Sequence, residues 1–123
     1  MSDGGKSRRP ARYGWMTEVR PDKVDYYREL HANPWPAVLR RIKESNLQNY
    51  TIYLQEIDGR FFLFSYFEYV GDNFDEDMRR MEADPETQRW WQETGPCQIP
   101  LKNGHPRRNG SAWSDLQEVF HLD

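Results

Sequence analysis

A single cysteine, Cys97, stands in a chain of 123 residues, so no internal disulfide can form. The three histidines, at positions 31, 105 and 121, are too scattered to complete a zinc site around it. No apolar run approaches the roughly 20 residues that span a bilayer, and no apolar segment follows the start as in a secretory signal. Charge of one sign is also missing. Lys and Arg number 17 against 20 Asp and Glu, for a formal net charge of −3 with both signs mixed along the chain. That balance argues against nucleic acid or an anionic membrane as partner. There is no Ser-His-Asp order, no glycine-rich phosphate loop and no calcium-loop spacing. The expectation is one domain in a reducing, cytoplasmic setting.

What the chain has in excess is aromatic surface. Aromatics make up 15 % of it, with five Trp and seven Tyr, although mean hydropathy is only −1.04. Such side chains bury large area and stack on flat ligands, so they serve a core, a subunit interface or a pocket.

Residues 1–11 are rich in Gly, Ser and Arg without periodicity and read as a disordered, solvated tail. Residues 12–123 form the domain. Residues 13–19 read as a strand that stops before Pro21, and Pro21 with Asp22 starts a helix. Val24, Tyr27 and His31 share one stripe of that helix, with Leu30 beside it. Pro34 and Pro36 break it, and residues 36–45 form a second helix with Val38, Leu39 and Ile42 apolar. Residues 49–57 and 60–70 are two strands around Asp58-Gly59, a tight-hairpin signal. The second of them is apolar on both faces, so helices cover one face and a second subunit or a cavity meets the other. Helices follow at 72–83, with Phe74, Met78 and Met81 apolar, and from Pro85 through Trp91. Residues 95–110 read as a loop and 113–122 as a last strand. The order strand, helix, strand, strand, helix, strand fits an α+β, ferredoxin-like (βαββαβ) domain.

Several residues carry chemistry in this pattern. His31 lies four residues after Tyr27, on the same helix face, at a helix end where the dipole favours the protonated form. It is either an acid/base group, as its near-neutral pKa suits, or a core histidine bonded to backbone. Trp90 and Trp91 point about 100° apart on a helix, so one can enter the core while the other faces a cleft; both being core or interface residues is the other reading. Tyr50 shares a strand face with Ile52 and Leu54 and places a hydroxyl near a sheet mouth, or is structural. The acids at 72, 75, 76, 77, 82, 84 and 86 read as a solvated helix face rather than a metal site. His105, Arg107 and Arg108 read as exposed in their loop, His121 as part of the last strand, and Cys97 as a neutral thiol.

Four segments taken together resemble the L-rhamnose mutarotase family: YYRELHANPWP (26–36), NYTIYL (49–54), DPETQRWW (84–91) and LQEVFHLD (116–123). The resemblance spans about 12–123 in order. It implies an isomerase that interconverts the α and β anomers of L-rhamnopyranose, or of a related sugar such as L-fucose, without a cofactor or metal. It also implies homodimers of ferredoxin-like subunits forming a dimeric α/β barrel, with His31 as the catalytic histidine and proton donor. By the same resemblance Tyr27, Tyr50, Trp90 and Trp91 contact the sugar. Two alternatives belong to other classes: a haem-dependent or cofactor-free monooxygenase on the same kind of barrel, and a non-catalytic sugar-binding module. The long loop 95–112 and the full segment 67–81 depart from a minimal member of the family, close to the expected pocket mouth.

Overall fold

The computed structural model describes residues 10–107 and 111–123. Strand β1 (Ala11–Val19) stops where Pro21 can no longer donate to a ladder. It begins two residues earlier than the sequence pattern indicates, so Ala11 belongs to the sheet; the rest of the expected tail, up to residue 9, lies outside the described residues. A 3₁₀ turn at Pro21–Lys23 leads into α1 (Val24–Ala32). Pro36 opens α2 (Pro36–Glu44), which buries Val38 while Leu39, expected on the apolar face, stays half-exposed.

The hairpin forms as its turn residues require. Strands β2 (Leu47–Ile57) and β3 (Arg60–Tyr69) pair with Ile57 opposite Arg60, leaving Asp58 and Gly59 as the whole loop. Both take positive φ, 51° and 79°, as a type I′ turn demands. Helix α3 (Phe74–Ala83) is capped by Asn73, which accepts from the Glu76 amide, and α4 (Pro85–Thr94) by Asp84, which accepts from the Thr87 amide.

The loop expected at 95–110 is partly ordered into the sheet. After a 3₁₀ turn at Gly95–Cys97, β4 (Gln98–Ile99) pairs with Val19 and Glu18 of β1. The last strand is shorter than the sequence pattern indicates. Of the residues expected in it, Ser114–Asp115 (β5) pair with β1, opposite Met16 and Trp15. Beyond it the Leu116 amide donates to Gly14 and Arg12 grips Glu118 through two hydrogen bonds of 3.1 and 2.9 Å, but residues 116–123 are not strand. His121 is therefore outside the sheet, exposed, with Nε2 2.7 Å from Asp123.

The antiparallel sheet runs β2-β3-β1-β4 with β5 beside β1, curled into the half-barrel of a ferredoxin-like domain. The helices lie against one face. Trp15, Leu47, Phe67 and Tyr69 pack with Met78 and Met81 in one cluster, and Val19 and Leu63 pack with Val24, Tyr27 and Cys97 in another. The opposite face carries Phe64 and Tyr66 of β3 beside Tyr53 and Thr51 of β2. Among the described residues no helix covers it, and Tyr53 and Ile57 remain exposed.

Candidate active site

The helix-covered face of the sheet does not close fully. Between it and the helices lies a cavity of about 360 Å³, of ordinary size for a small-molecule site. All five residues singled out from the sequence line it: Tyr27, His31, Tyr50, Trp90 and Trp91. They come from α1, the start of β2 and α4, so only the fold brings them together.

His31 is held on three sides. Its Nδ1 lies 2.9 Å from the Tyr27 carbonyl one turn back. The ring stacks on Tyr27 with centroids 4.3 Å apart and meets Trp90 edge-on at 5.1 Å. Trp90 in turn is braced edge-on by Trp35 at 5.1 Å. A neutral imidazole can bond a carbonyl only through an N–H, so Nδ1 carries the proton and Nε2 keeps its lone pair. Burial pushes the His31 pKa below its ordinary value, and the Tyr27 carbonyl opposes this only in part. The helix end was expected to favour the charged ring. Desolvation by the surrounding aromatics outweighs it, because a partly exposed helix terminus contributes well under what a buried charge costs.

Tyr27 is buried beneath the histidine, and desolvation drives its pKa up, with the nearby Gln98 side chain opposing part of that rise. Tyr50 reaches the cavity through a bulge. The β2–β3 register slips between Gln48 and Thr51, and Asn49 takes a φ of 51°. The extra residue turns Tyr50 to the helix side, 5.4 Å from the Phe67 ring. Glu68 clamps the bulge by accepting from the side chains of Gln48 and Asn49, each at 2.8 Å. Burial raises the Tyr50 pKa, and the charge of Arg107 works against that rise. Trp90 is buried and Trp91 exposed along one edge, which is the split expected of adjacent tryptophans on a helix.

Other expectations need correction. Arg107 is not exposed: its guanidinium lies 4.3 Å from the Trp15 ring centroid and lines the cavity. Its backbone is fixed by a bond from its amide to Trp113, next to a bridge between Pro106 and Ser114. A run of polar and turn residues gave no periodicity from which to read this, and Arg108 lies outside the described residues. Asp77 is not part of a solvated acidic face either. It is buried, accepting from Tyr69 at 2.5 Å and from Asn46 at 2.9 Å. Burial acts to raise its pKa, but those two bonds and the charges of Arg80 and Arg41 outweigh it and leave the pKa lowered. Cys97 is buried and desolvation raises its pKa, so it is the neutral thiol expected. Gln98, Trp15 and Trp35 also shape the site and were not singled out from the sequence. For Trp35 a signal existed, the Trp-Pro step after His31.

Among the described residues, no group of three or more His, Cys, Asp or Glu is placed to hold a metal ion, and no helix is long and apolar enough to cross a membrane. The arrangement offers an imidazole, the Glu82 carboxylate, two phenols and an aromatic wall, which suits a polar ligand with apolar C–H faces.

The chain as a whole is similar to known proteins. The family model described as L-rhamnose mutarotase matches residues 12–122. An L-rhamnose mutarotase of Bacillus subtilis is 35 % identical over 106 residues, 85 % of this chain and 91 % of the relative. One of Oceanobacillus iheyensis is 30 % identical over 112 residues, 91 % of this chain and 98 % of the relative. The crystal structure of an L-rhamnose mutarotase from Formosa agariphila superposes with a TM-score of 0.67 at 19 % identity, covering 92 % of this chain and 99 % of that one, and so shares the fold.

Proposed function

We propose, since this chain belongs to the L-rhamnose mutarotase family, that His31 is the residue through which it interconverts the α and β anomers of L-rhamnose. The chain is an isomerase of a reaction that needs only proton transfer and positioning. The observation that carries the assignment is the pinned imidazole. Nδ1–H bonded to the Tyr27 carbonyl presents a neutral ring to the cavity with Nε2 free to exchange a proton.

The anomeric hydroxyl oxygen and the ring oxygen are bonded to the same carbon, so one nitrogen can serve both. Nε2 takes the proton of the anomeric hydroxyl. The C1=O bond forms as the bond from C1 to the ring oxygen breaks. The imidazolium then donates its proton to the ring oxygen, which becomes a hydroxyl. The aldehyde turns, and the same steps in reverse close the ring on the other face. Burial makes the imidazolium a stronger acid than an exposed one and so speeds its donation, at the cost of a weaker base in the first proton transfer. Tyr27 holds the ring by stacking and through its carbonyl. Tyr50 offers a hydroxyl to the sugar, and Trp90 and Trp91 receive its C–H faces. No cofactor enters this scheme.

A homodimer in the reducing cytoplasm completes the reading. The sheet face bearing Tyr53, Ile57, Phe64 and Tyr66 lacks a helix, and a second copy packed sheet to sheet would cover it. The assignment is tested by saturation-transfer NMR on L-rhamnose with wild type and His31→Ala, after subtracting exchange in water alone. Loss of about 10²- to 10⁴-fold is expected. Undiminished exchange in the variant would remove His31 from the mechanism. A panel of L-rhamnose, L-fucose, L-lyxose and D-galactose ranks the sugars.

A further inference from the structure

At the sheet side of the cavity two buried N–H donors have no partner, Trp15 Nε1 and Arg107 Nε. They belong to side chains already stacked on one another, guanidinium over indole at 4.3 Å, and both residues line the cavity. Buried donors are ordinarily satisfied, and leaving two side by side is costly unless an acceptor arrives. Among the described residues no carboxylate lies within ion-pair distance of Arg107. Asp115 acts on it only through its field, and desolvation lowers its pKa. The side chain is pre-positioned: Trp15 sits in the middle of β1, and the Arg107 amide is tied to Trp113. It also stands near enough to Tyr50 for the two to influence each other's protonation.

We propose that Arg107 and Trp15 form a specificity subsite that donates to one hydroxyl oxygen of the bound sugar. His31 and Tyr27 lie on the helix side of the cavity, Arg107 and Trp15 on the sheet and loop side, so a pyranose between them is read at one hydroxyl while it reacts at another position. This rests on the mutarotase reading above, and it makes Arg107 a determinant of which sugar the site prefers.

The test compares wild type, Arg107→Met and Trp15→Phe on L-rhamnose and its monodeoxy analogues by saturation-transfer NMR across sugar concentrations, with thermal unfolding as the check of folding. Methionine keeps an apolar stem over the indole and removes every donor. The expected result is a KM for L-rhamnose raised about tenfold or more in Arg107→Met, with kcat within about twofold, since a bond from a charged donor is lost. One monodeoxy analogue should show the same loss with wild type and no further loss with the variant. Trp15→Phe should show a smaller change in the same direction. The proposal is overturned if folded Arg107→Met keeps the wild-type KM, which would leave the orphaned donors to water. It is equally overturned if the variant loses kcat/KM uniformly across all analogues, which marks a structural role. If wild type fails to accelerate L-rhamnose exchange at all, it is the mutarotase reading that falls, and the subsite with it.

Discussion

Replacing Tyr69 by Phe removes one oxygen from the end of β3 and takes one partner each from Asp77 of α3 and from its cap residue Asn73. The Tyr69 hydroxyl donates to the buried Asp77 carboxylate at 2.5 Å and accepts from the Asn73 amide at 2.9 Å. Desolvation and that carboxylate push its own pKa up to about 12, so it remains a donor at every working pH. A hydrogen bond to a charged group contributes about 1.5–3 kcal/mol and an ordinary one about 1 kcal/mol. The phenylalanine no longer buries a hydroxyl, which offsets part of the loss, so Tyr69→Phe should destabilise by about 3 kcal/mol at pH 7. Urea unfolding should show a lower midpoint with an unchanged slope. The pH dependence separates the two bonds. Asp77 has a lowered folded-state pKa, so its contribution is present above the ordinary carboxylate value of 3.8 and is lost as pH falls through the folded value. Once the pH falls below the folded-state value of Asp77 and the carboxylate is protonated, the gap between wild type and variant should therefore narrow to about 1 kcal/mol, the share of the Asn73 amide. A gap below 1 kcal/mol at neutral pH, or one that stays constant into acid, would refute this account of how α3 is anchored to the sheet. The anchoring bears on function because Met78 and Met81 of the same helix line the cavity.

Three further outcomes are expected. Because His31 starts neutral and its pKa lies below the ordinary 6.5, kcat/KM for anomer exchange should be flat from pH 8 to 6.5 and fall only at lower pH; a rise on acidification would mean that the resting enzyme works from the imidazolium. Tyr53→Asp, on the sheet face proposed to pair with a second copy, should lower the sedimentation coefficient from that of a dimer to that of a monomer in analytical ultracentrifugation, and an unchanged coefficient would refute that interface. Gly59→Ala meets no neighbouring atom, so its cost should be conformational alone, about 1 kcal/mol in thermal unfolding.

Periodicity and turn chemistry determined most of the elements by themselves. Pro21, Pro36 and Pro85 open helical segments, Asp58-Gly59 makes a two-residue turn, and the doubly apolar β3 sits at the centre of the sheet. These are local preferences of backbone and side chain, legible wherever they occur. The five residues singled out from spacing and from the family segments line one cavity, and that convergence came from the fold. The short last strand was not legible, because the strand-like pattern of 116–122 carries no information on whether a partner edge runs alongside it in the folded sheet. Nor were the buried state of Asp77 and the place of Arg107, since a charge in a polar run finds its partner only through contacts distant in sequence. His31 shows the division most clearly. Its position on α1, one turn after Tyr27, is a matter of sequence. Its neutral resting form is decided by Tyr27, Trp90 and the sheet closing around it, because desolvation is a property of the assembled surroundings and not of the helix end that carries the ring.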